Sequence, residues 1–330
     1  MNSNLLPTFG DDKTIDVTVL GCSIIDCISY VPTLPKPGET LRASRYQTGF
    51  GGKGANQCVA AAKLGSKTAL ISKVGTDDWG QKYRDNLEKF NVEATHVETV
   101  NGSTGLAQIN VSSDGENQIV IIPGASDALC PGDIDKAAEV IRKTKVLVCQ
   151  LENPLQATLA ALRMKDKNSI SILNASPSPN ENTLELFTLP TILCVNQVEA
   201  AALTRRDVPD IEEAKRAISN FLCLGCNIVI ITLGRDGAIF ASADHPNPVH
   251  VRAPRIEDIL DTTGAGDAFV GALAHYLARY DTNVPLYKKI GGAITIASMT
   301  VQQYGTQTSY PSAKELRFDI SLKNFDYTQF

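Results

Sequence analysis

The chain has 330 residues, room for one large α/β domain with at most a small appendage, and an ordinary composition of 43% hydrophobic, 20% charged and 6% aromatic residues. A net charge of -5 leaves no basic footprint for nucleic acid, and no apolar run reaches membrane-spanning length. The stretch from Met1 to Lys13 lacks the basic-then-apolar pattern of a targeting signal, so a cytoplasmic address is expected, with a nuclear pool left open. The eight cysteines are scattered and read as reduced thiols. Cys223 and Cys226 form a CxxC without a second pair or a nearby histidine, so they are expected to pack between a helix and a strand rather than to hold zinc.

Asp16 to Gly21 reads as a short buried strand ending in glycine, with Asp26 just beyond its carboxyl end, where open parallel sheets bind ligands. An Asp there also serves as an ordinary loop cap. Pro32, Pro35, Pro37 and Gly38 break the chain before an extended stretch from Ala43 to Thr48. Gly49 to Gln57 then opens a helix that Gly65 stops. Gly49, Gly51 and Gly54 satisfy GxGxxG, but the first strand ended at Gly21, so the context of a dinucleotide fingerprint is wrong. Lys53 and Asn56 among bare backbone suit hydrogen bonding to a small polyol instead.

Thr68 to Val74 is a second buried strand and Gly80 to Phe90 is helical. Leu106 to Ile122 reads as a hairpin around Asp114-Gly115. A hairpin is out of place in an alternating βα chain, so with residues 39–48 it suggests a small separate sheet, a lid over the site. Alternation resumes at Val146. The following strands end at Glu152, Asn174, Asn196 and Thr232, each placing a polar residue where the cleft of such a sheet lies. Residues 316–330 read as a polar tail.

Asp261-Thr262-Thr263-Gly264-Ala265-Gly266-Asp267 opens an amphipathic helix carrying Phe269, Val270, Leu273, Tyr276 and Leu277. Its first-turn N–H groups and dipole favour an anion, which Gly264 and Gly266 let approach closely. A carboxylate at that end repels the anion unless it takes a proton from the group attacking it. Asp267 therefore suits a general base in phosphoryl transfer, although an Asp there also serves as a routine capping acid.

Together these residues resemble the PfkB family of sugar kinases, from Val17 to Tyr310. Both signature stretches are present, Gly-Gly-Lys-Gly-Ala-Asn at 51–56 and Asp-Thr-Thr-Gly-Ala-Gly-Asp at 261–267. Between them stand Pro37-Gly38-Glu39-Thr40, Gln150-Leu151-Glu152, Asn196-x-x-Glu199 and Thr232-Leu233-Gly234. The resemblance implies a ribokinase-like α/β fold: a central, mostly parallel sheet flanked by helices, over residues 14–315, with a small β-sheet lid from segments 33–50 and 104–123. It implies ATP-dependent phosphorylation of D-ribose at its 5-hydroxyl, with Asp267 as base and the amides of Gly264, Ala265 and Gly266 as the anion hole.

By the same resemblance Ile24, Asp26, Gly52, Lys53, Gly54, Ala55, Asn56 and Glu152 would hold the sugar. Asn196, Thr232, Leu233, Gly234, Arg235, Asp236, Gly237 and Gly266 would face ATP, and Glu199 would orient magnesium through water. Asp261, Thr263, Thr300, Gln303, Gly305 and Ser309 would surround potassium, and a homodimer through the lid is implied. Three departures stand out. The usual Asn-Pro-Ala-Pro is Asn174-Ala175-Ser176-Pro177, the usual Asn-Glu-x-Glu is Asn196-Gln197-Val198-Glu199, and no asparagine lies between Leu286 and Thr300, where one often meets the adenine. A sister kinase for another sugar or a nucleoside, and a sensor that binds without turnover, are the alternatives.

Overall fold

The structure is a computed structural model describing residues 6–179 and 183–330; residues 1–5 of the N-terminal stretch read above for a targeting signal lie outside it. In chain order, β1 (Ile15–Leu20), β2 (Ile24–Val31) and β3 (Arg45–Gly51) lead to α1 (Lys53–Lys63), β4 (Thr68–Gly75) and α2 (Asp78–Lys89). Next come β5 (Val97–Val100), β6 (Gly105–Ser112), β7 (Asn117–Ile122), α3 (Pro131–Lys136), α4 (Ala138–Arg142), β8 (Thr144–Cys149) and α5 (Leu155–Met164). They are followed by β9 (Ile170–Asn174), α6 (Glu185–Thr188), β10 (Ile192–Asn196), α7 (Gln197–Thr204), α8 (Ile211–Cys223), β11 (Ile228–Thr232), β12 (Ala238–Ser242) and β13 (Val249–Val251). The chain closes with α9 (Ala265–Arg279), α10 (Leu286–Thr300) and β14 (Tyr327–Gln329).

Among the described residues ten strands form the main sheet in the order β14-β13-β12-β11-β10-β9-β8-β1-β4-β5, parallel from β11 to β5 and antiparallel from β11 to β14. Its strands are apolar on both faces because side chains alternate into two cores. Val146, Val148, Ile228 and Ile230 join α1, α2, α9 and α10 on one face, while Leu147, Cys149, Val229 and Ile231 join α3 to α8 on the other. Register sets the rim: Cys149 pairs with Leu20, Leu173 with Cys149, Cys194 with Asn174, and Thr232 with Asn196. Gln150, Asn174, Asn196 and Thr232 therefore emerge along one edge of the sheet.

The second sheet runs β3-β2-β6-β7. The expected 106–122 hairpin is present as β6 and β7. Here the structure departs from the sequence reading in one respect. Asp26 does not follow β1 in a loop; it lies within β2, opposite Gly49 and Ala107, because the chain turns into the lid directly after Gly21. The lid thus begins at Ile24, and Ile24 packs with Cys22, Ala107 and Ile109 in a small apolar cluster of its own.

Residues 316–330 are not free of the fold. β14 extends the main sheet against β13, Ile320 is buried, and Phe325 packs closely over Gly291. Of the CxxC pair, Cys226 is buried in the second core and Cys223, the last residue of α8, is exposed. Among the described residues no helix is long and apolar enough to cross a membrane.

Candidate active site

Two close helix contacts assemble the site. A Cβ on Gly54 would sit 2.4 Å from Gly21 Cα, so the first turn of α1 lies directly on the end of β1. A Cβ on Gly271 would meet Gln57 O at 2.4 Å and Ala60 Cβ at 2.6 Å, so α9 runs flush against α1. Asp267 is one turn before Gly271 on the same face of α9, which brings it against Asn56 and Gln57. Its Oδ2 accepts from Asn56 Nδ2 at 3.0 Å and its Oδ1 from Gln57 Nε2 at 2.9 Å, and the carboxylate is buried. Gln57 Nε2 also donates to Asn174 Oδ1 at 3.0 Å, tying α1 to the end of β9.

Gly264 precedes α9 with φ +77°, left-handed backbone that suits glycine, and a Cβ there would lie 2.8 Å from the Tyr310 hydroxyl. First-turn amides of a helix have no carbonyl inside it to bond. One of the three amides expected to form an anion hole, that of Ala265, is turned onto Thr262 O at 3.3 Å. The face of Gly266 is open, with nothing within 4 Å of where a Cβ would stand. Gly264, Gly266 and Asp267 share a cleft of about 220 Å³ with Lys53, Asn196, Glu199 and Thr232, so sugar-side and nucleotide-side candidates meet in one space.

On the sugar side, Glu152 Oε2 accepts from Lys53 N at 2.9 Å, a carboxylate placed on the N-terminus of α1, and also from the Cys22 thiol. Burial raises the Glu152 carboxyl above its ordinary range despite Lys53 beside it. Burial opposes the Lys53 ammonium, yet Asp267, Glu152 and Glu199 outweigh it and hold the ammonium charged. Among the described residues no cation stands against Asp26. Burial, with Glu152 and Asp267 adding repulsion, pushes its carboxyl up to about 7. Gly51 leaves it room, since a Cβ there would sit 2.2 Å from Asp26 Oδ2, and Gly52 turns the chain into α1 at φ +87°. Gly54 and Ala55 are spent on packing: Gly54 meets the backbone of Gly21 and Ala55 is fully buried in the core.

On the nucleotide side, Asn196 and Glu199 form a capping box at the start of α7, Glu199 N donating to Asn196 Oδ1 at 2.8 Å and Asn196 N to Glu199 Oε2 at 2.9 Å. Thr232 lines the cleft, whereas Leu233 is buried in the core. Gly234, Arg235 and Asp236 form an exposed turn, and Gly237 is held by packing, since a Cβ there would lie 2.1 Å from Val251 O.

Asp261 bridges two loops, its Oδ1 accepting from Thr263 N and its Oδ2 from Gly305 N, both at 2.9 Å. Thr300 donates to Ala297 O at 2.7 Å and Ser309 to Thr306 O at 2.8 Å, and Gln303 is exposed.

Sequence reasoning did not single out Gln57, Asn86 or Tyr83, nor the side chain of Gln307. All four are buried polar residues within helices or loops next to the signature stretches. Gln57 directly follows Asn56, and its position on the buried face of an apolar helix was the available signal.

The pfkB family carbohydrate kinase profile matches residues 14–313. Ribokinase of Mus musculus is 41% identical over 308 residues, covering 93% of this chain and 95% of that protein. Deoxyribokinase of Salmonella typhi is 38% identical over 310 residues, covering 93% of this chain and 99% of that protein. The solved structure of Arabidopsis thaliana ribokinase complexed with ribose and ATP matches with a TM-score of 0.84 at 29% identity, covering 91% of this chain and 96% of that one. The architecture is accordingly the ribokinase-like α/β fold, lid included, and the chain belongs to the pfkB family of carbohydrate kinases.

Proposed function

We propose that this carbohydrate kinase transfers the γ-phosphoryl group of ATP to O5 of D-ribose. The observation that carries the reading is the placement of Asp267: a buried carboxylate on the first turn of α9, fixed by two amide donors, in the cleft that also holds Lys53 and the Asn196–Glu199 cap. Asp267 accepts the hydroxyl proton as the sugar oxygen bonds to phosphorus, and the bond to the bridging oxygen breaks with its electron pair leaving on ADP. The α9 N-terminus, open at Gly266, stabilises charge on the transferred oxygens, and Lys53 adds a fixed positive charge. Asp26, Asn56 and Glu152 read the sugar hydroxyls, and buried groups left unpaired by a missing hydroxyl supply the specificity.

Glu199, buried at the cleft with one carboxylate oxygen committed to its cap, would orient magnesium through water. Magnesium would neutralise phosphate charge. Asp261, whose carboxylate joins the Thr263 and Gly305 backbone, would with oxygens of Thr263, Thr300, Gln303, Gly305 and Ser309 hold a hard monovalent cation such as potassium. We further infer a homodimer through the lid, in the cytoplasm. β7 is an edge strand that exposes Ile119, Val120, Ile121 and Ile122 in succession, a surface fit to pair with a second copy.

The deoxyribokinase relative supports a second reading, in which 2-deoxyribose is the better substrate. ADP release with D-ribose, 2-deoxyribose, fructose and adenosine, in magnesium with potassium or sodium, separates them. The ribose reading expects the highest kcat/KM with ribose and faster turnover in potassium; preference for 2-deoxyribose transfers the assignment to the second reading.

A further inference from the structure

A carboxylate only accepts hydrogen bonds, so Asn56 and Gln57 must each turn an NH2 group toward Asp267. That choice orients what lies behind them. Asn56 then offers Oδ1, which accepts from Gln307 Nε2 at 3.1 Å, and Gln307 offers Oε1, which accepts from Asn86 Nδ2 at 2.8 Å. On the other side, Gln57 Oε1 accepts from Gln150 Nε2 at 2.6 Å. Two lines of side-chain amides therefore run head to tail into the two oxygens of one carboxylate. The shorter line stops at Gln150, whose Oε1 has no partner among the described residues. The longer one continues: Gln307 Nε2 also donates to the Tyr83 hydroxyl at 3.3 Å, and Tyr83 donates to Gly51 O, the last residue of β3.

The segment carrying Gln307 touches both parts of the cleft. Thr306 donates to Phe50 O at 3.0 Å, Gly305 N donates to Asp261, and Tyr310 donates to Gly264 O at 3.3 Å. The root of the lid and the start of α9 are thus held by one short stretch of chain, 305–310.

We propose that Gln307 is a positioning residue for phosphoryl transfer. It fixes Asn56, and through Asn56 the Asp267 carboxylate, relative to the root of the lid that carries Asp26. The inference rests on Asp267 being the base. Asp26 on the lid and Asp267 on α9 are proposed to act on one sugar, so their relative position must be held by something that joins the two elements. The line Gly51–Tyr83–Gln307–Asn56–Asp267 does so through buried, directional bonds.

Steady-state kinetics of Gln307→Met and Gln307→Glu test the proposal, with melting temperature measured alongside. Gln307→Met removes donor and acceptor at similar volume, and kcat is expected to fall about 10- to 100-fold with the KM for ATP within about threefold of wild type. Gln307→Glu, when ionised, offers only acceptors to Asn56 Oδ1, so its kcat should fall further than that of Gln307→Met as pH rises and the new carboxyl ionises. Folded variants with wild-type kcat, or losses that follow melting temperature rather than polarity, overturn the proposal. Should neither variant fold, Tyr83→Phe decides: a loss of about two- to fivefold in kcat at unchanged KM is expected, and no loss overturns it. Exchange of the Asn56 NH2 protons, read by NMR, is slow if the line exists and speeds up in Gln307→Met whether or not any sugar is turned over. A wild-type enzyme that phosphorylates no sugar but shows this protection would sink the kinase reading while leaving the line standing.

Discussion

The two halves of the cleft are built differently. On the sugar side Asp26, Asn56, Gln57 and Asp267 are buried, cross-linked by side-chain hydrogen bonds or set tightly against backbone. Of the residues proposed to face ATP, Asn196, Gly234, Arg235 and Asp236 are exposed, while Leu233 and Gly237 are held by packing. A small sugar must be read hydroxyl by hydroxyl, which needs a preformed polar frame; a nucleotide can be held by charge, backbone amides and an open turn. Rigidity is thus concentrated on the sugar side, and substitutions on each side test it.

The largest effect is expected from Asp267→Asn. It keeps the shape of the sugar side and removes the proton acceptor, so kcat should drop about 10²–10⁴-fold while calorimetric sugar binding persists. Turnover at the wild-type rate would remove Asp267 from its role.

Asp26→Asn comes next, and carries a pH signature. With the folded carboxyl near 7 and an ordinary value of 3.8, the unfolded chain releases between those pH values a proton that the folded chain keeps. Stability of the sugar-free protein therefore falls as pH rises through this window, and the full penalty, ~4 kcal/mol at most, acts above about pH 7. Asp26→Asn should weaken sugar binding about 100-fold. It should also raise the melting temperature of the sugar-free protein at pH 8 and change it little at pH 4. Equal shifts at both pH values would contradict the assignment. In the wild type, kcat/KM for sugar should decline below about pH 7 as Asp26 protonates.

A pair of glycines probes the contrast directly. Gly54→Ala forces a methyl into the Gly21 backbone at 2.4 Å and should cost ~3 kcal/mol or prevent folding. Gly234→Ala strains only a left-handed residue at φ +56° in open space, at about 1 kcal/mol. Melting curves that rank the two the other way would show the nucleotide side to be the tighter half. Arg235→Ala, on the exposed turn, should move stability by no more than ~0.5 kcal/mol. ATP titration then isolates whatever that side chain adds to nucleotide affinity.

The same contrast explains what the sequence disclosed. The alternation of strands and helices, the 106–122 hairpin and the glycine-rich start of α9 were legible because local pattern determines them. The sequence reads Asp26 only as lying just beyond the first strand; that it sits within a lid strand was not legible, since Ile24 to Val31 gives no local sign of leaving the main sheet so soon after β1. The strand Tyr327–Gln329 was invisible: a polar triplet pairs there only because β13 offers an edge. Asn196 and Glu199 were read as nucleotide and metal residues, while their reciprocal cap is a helix-start pattern that the same spacing encodes. Gln307, Asn86 and Tyr83 went unread because a single buried amide or hydroxyl has no meaning until its partners are known.

The bonds that define Asp267 span very long stretches of chain: 211 residues to Asn56, 210 to Gln57, and 251 between Asn56 and Gln307. Contacts so distant in sequence close late, since the entropy of a large loop is lost before its bonds form. Strands and helices near the N-terminal half can settle while the Asp267 carboxylate still lacks Asn56, Gln57 and, behind Asn56, Gln307. On dilution from denaturant, helical signal should therefore return before enzymatic activity, and a chain interrupted before residue 307 would carry every side chain proposed to read the sugar yet lack the Gln307 bond to Asn56.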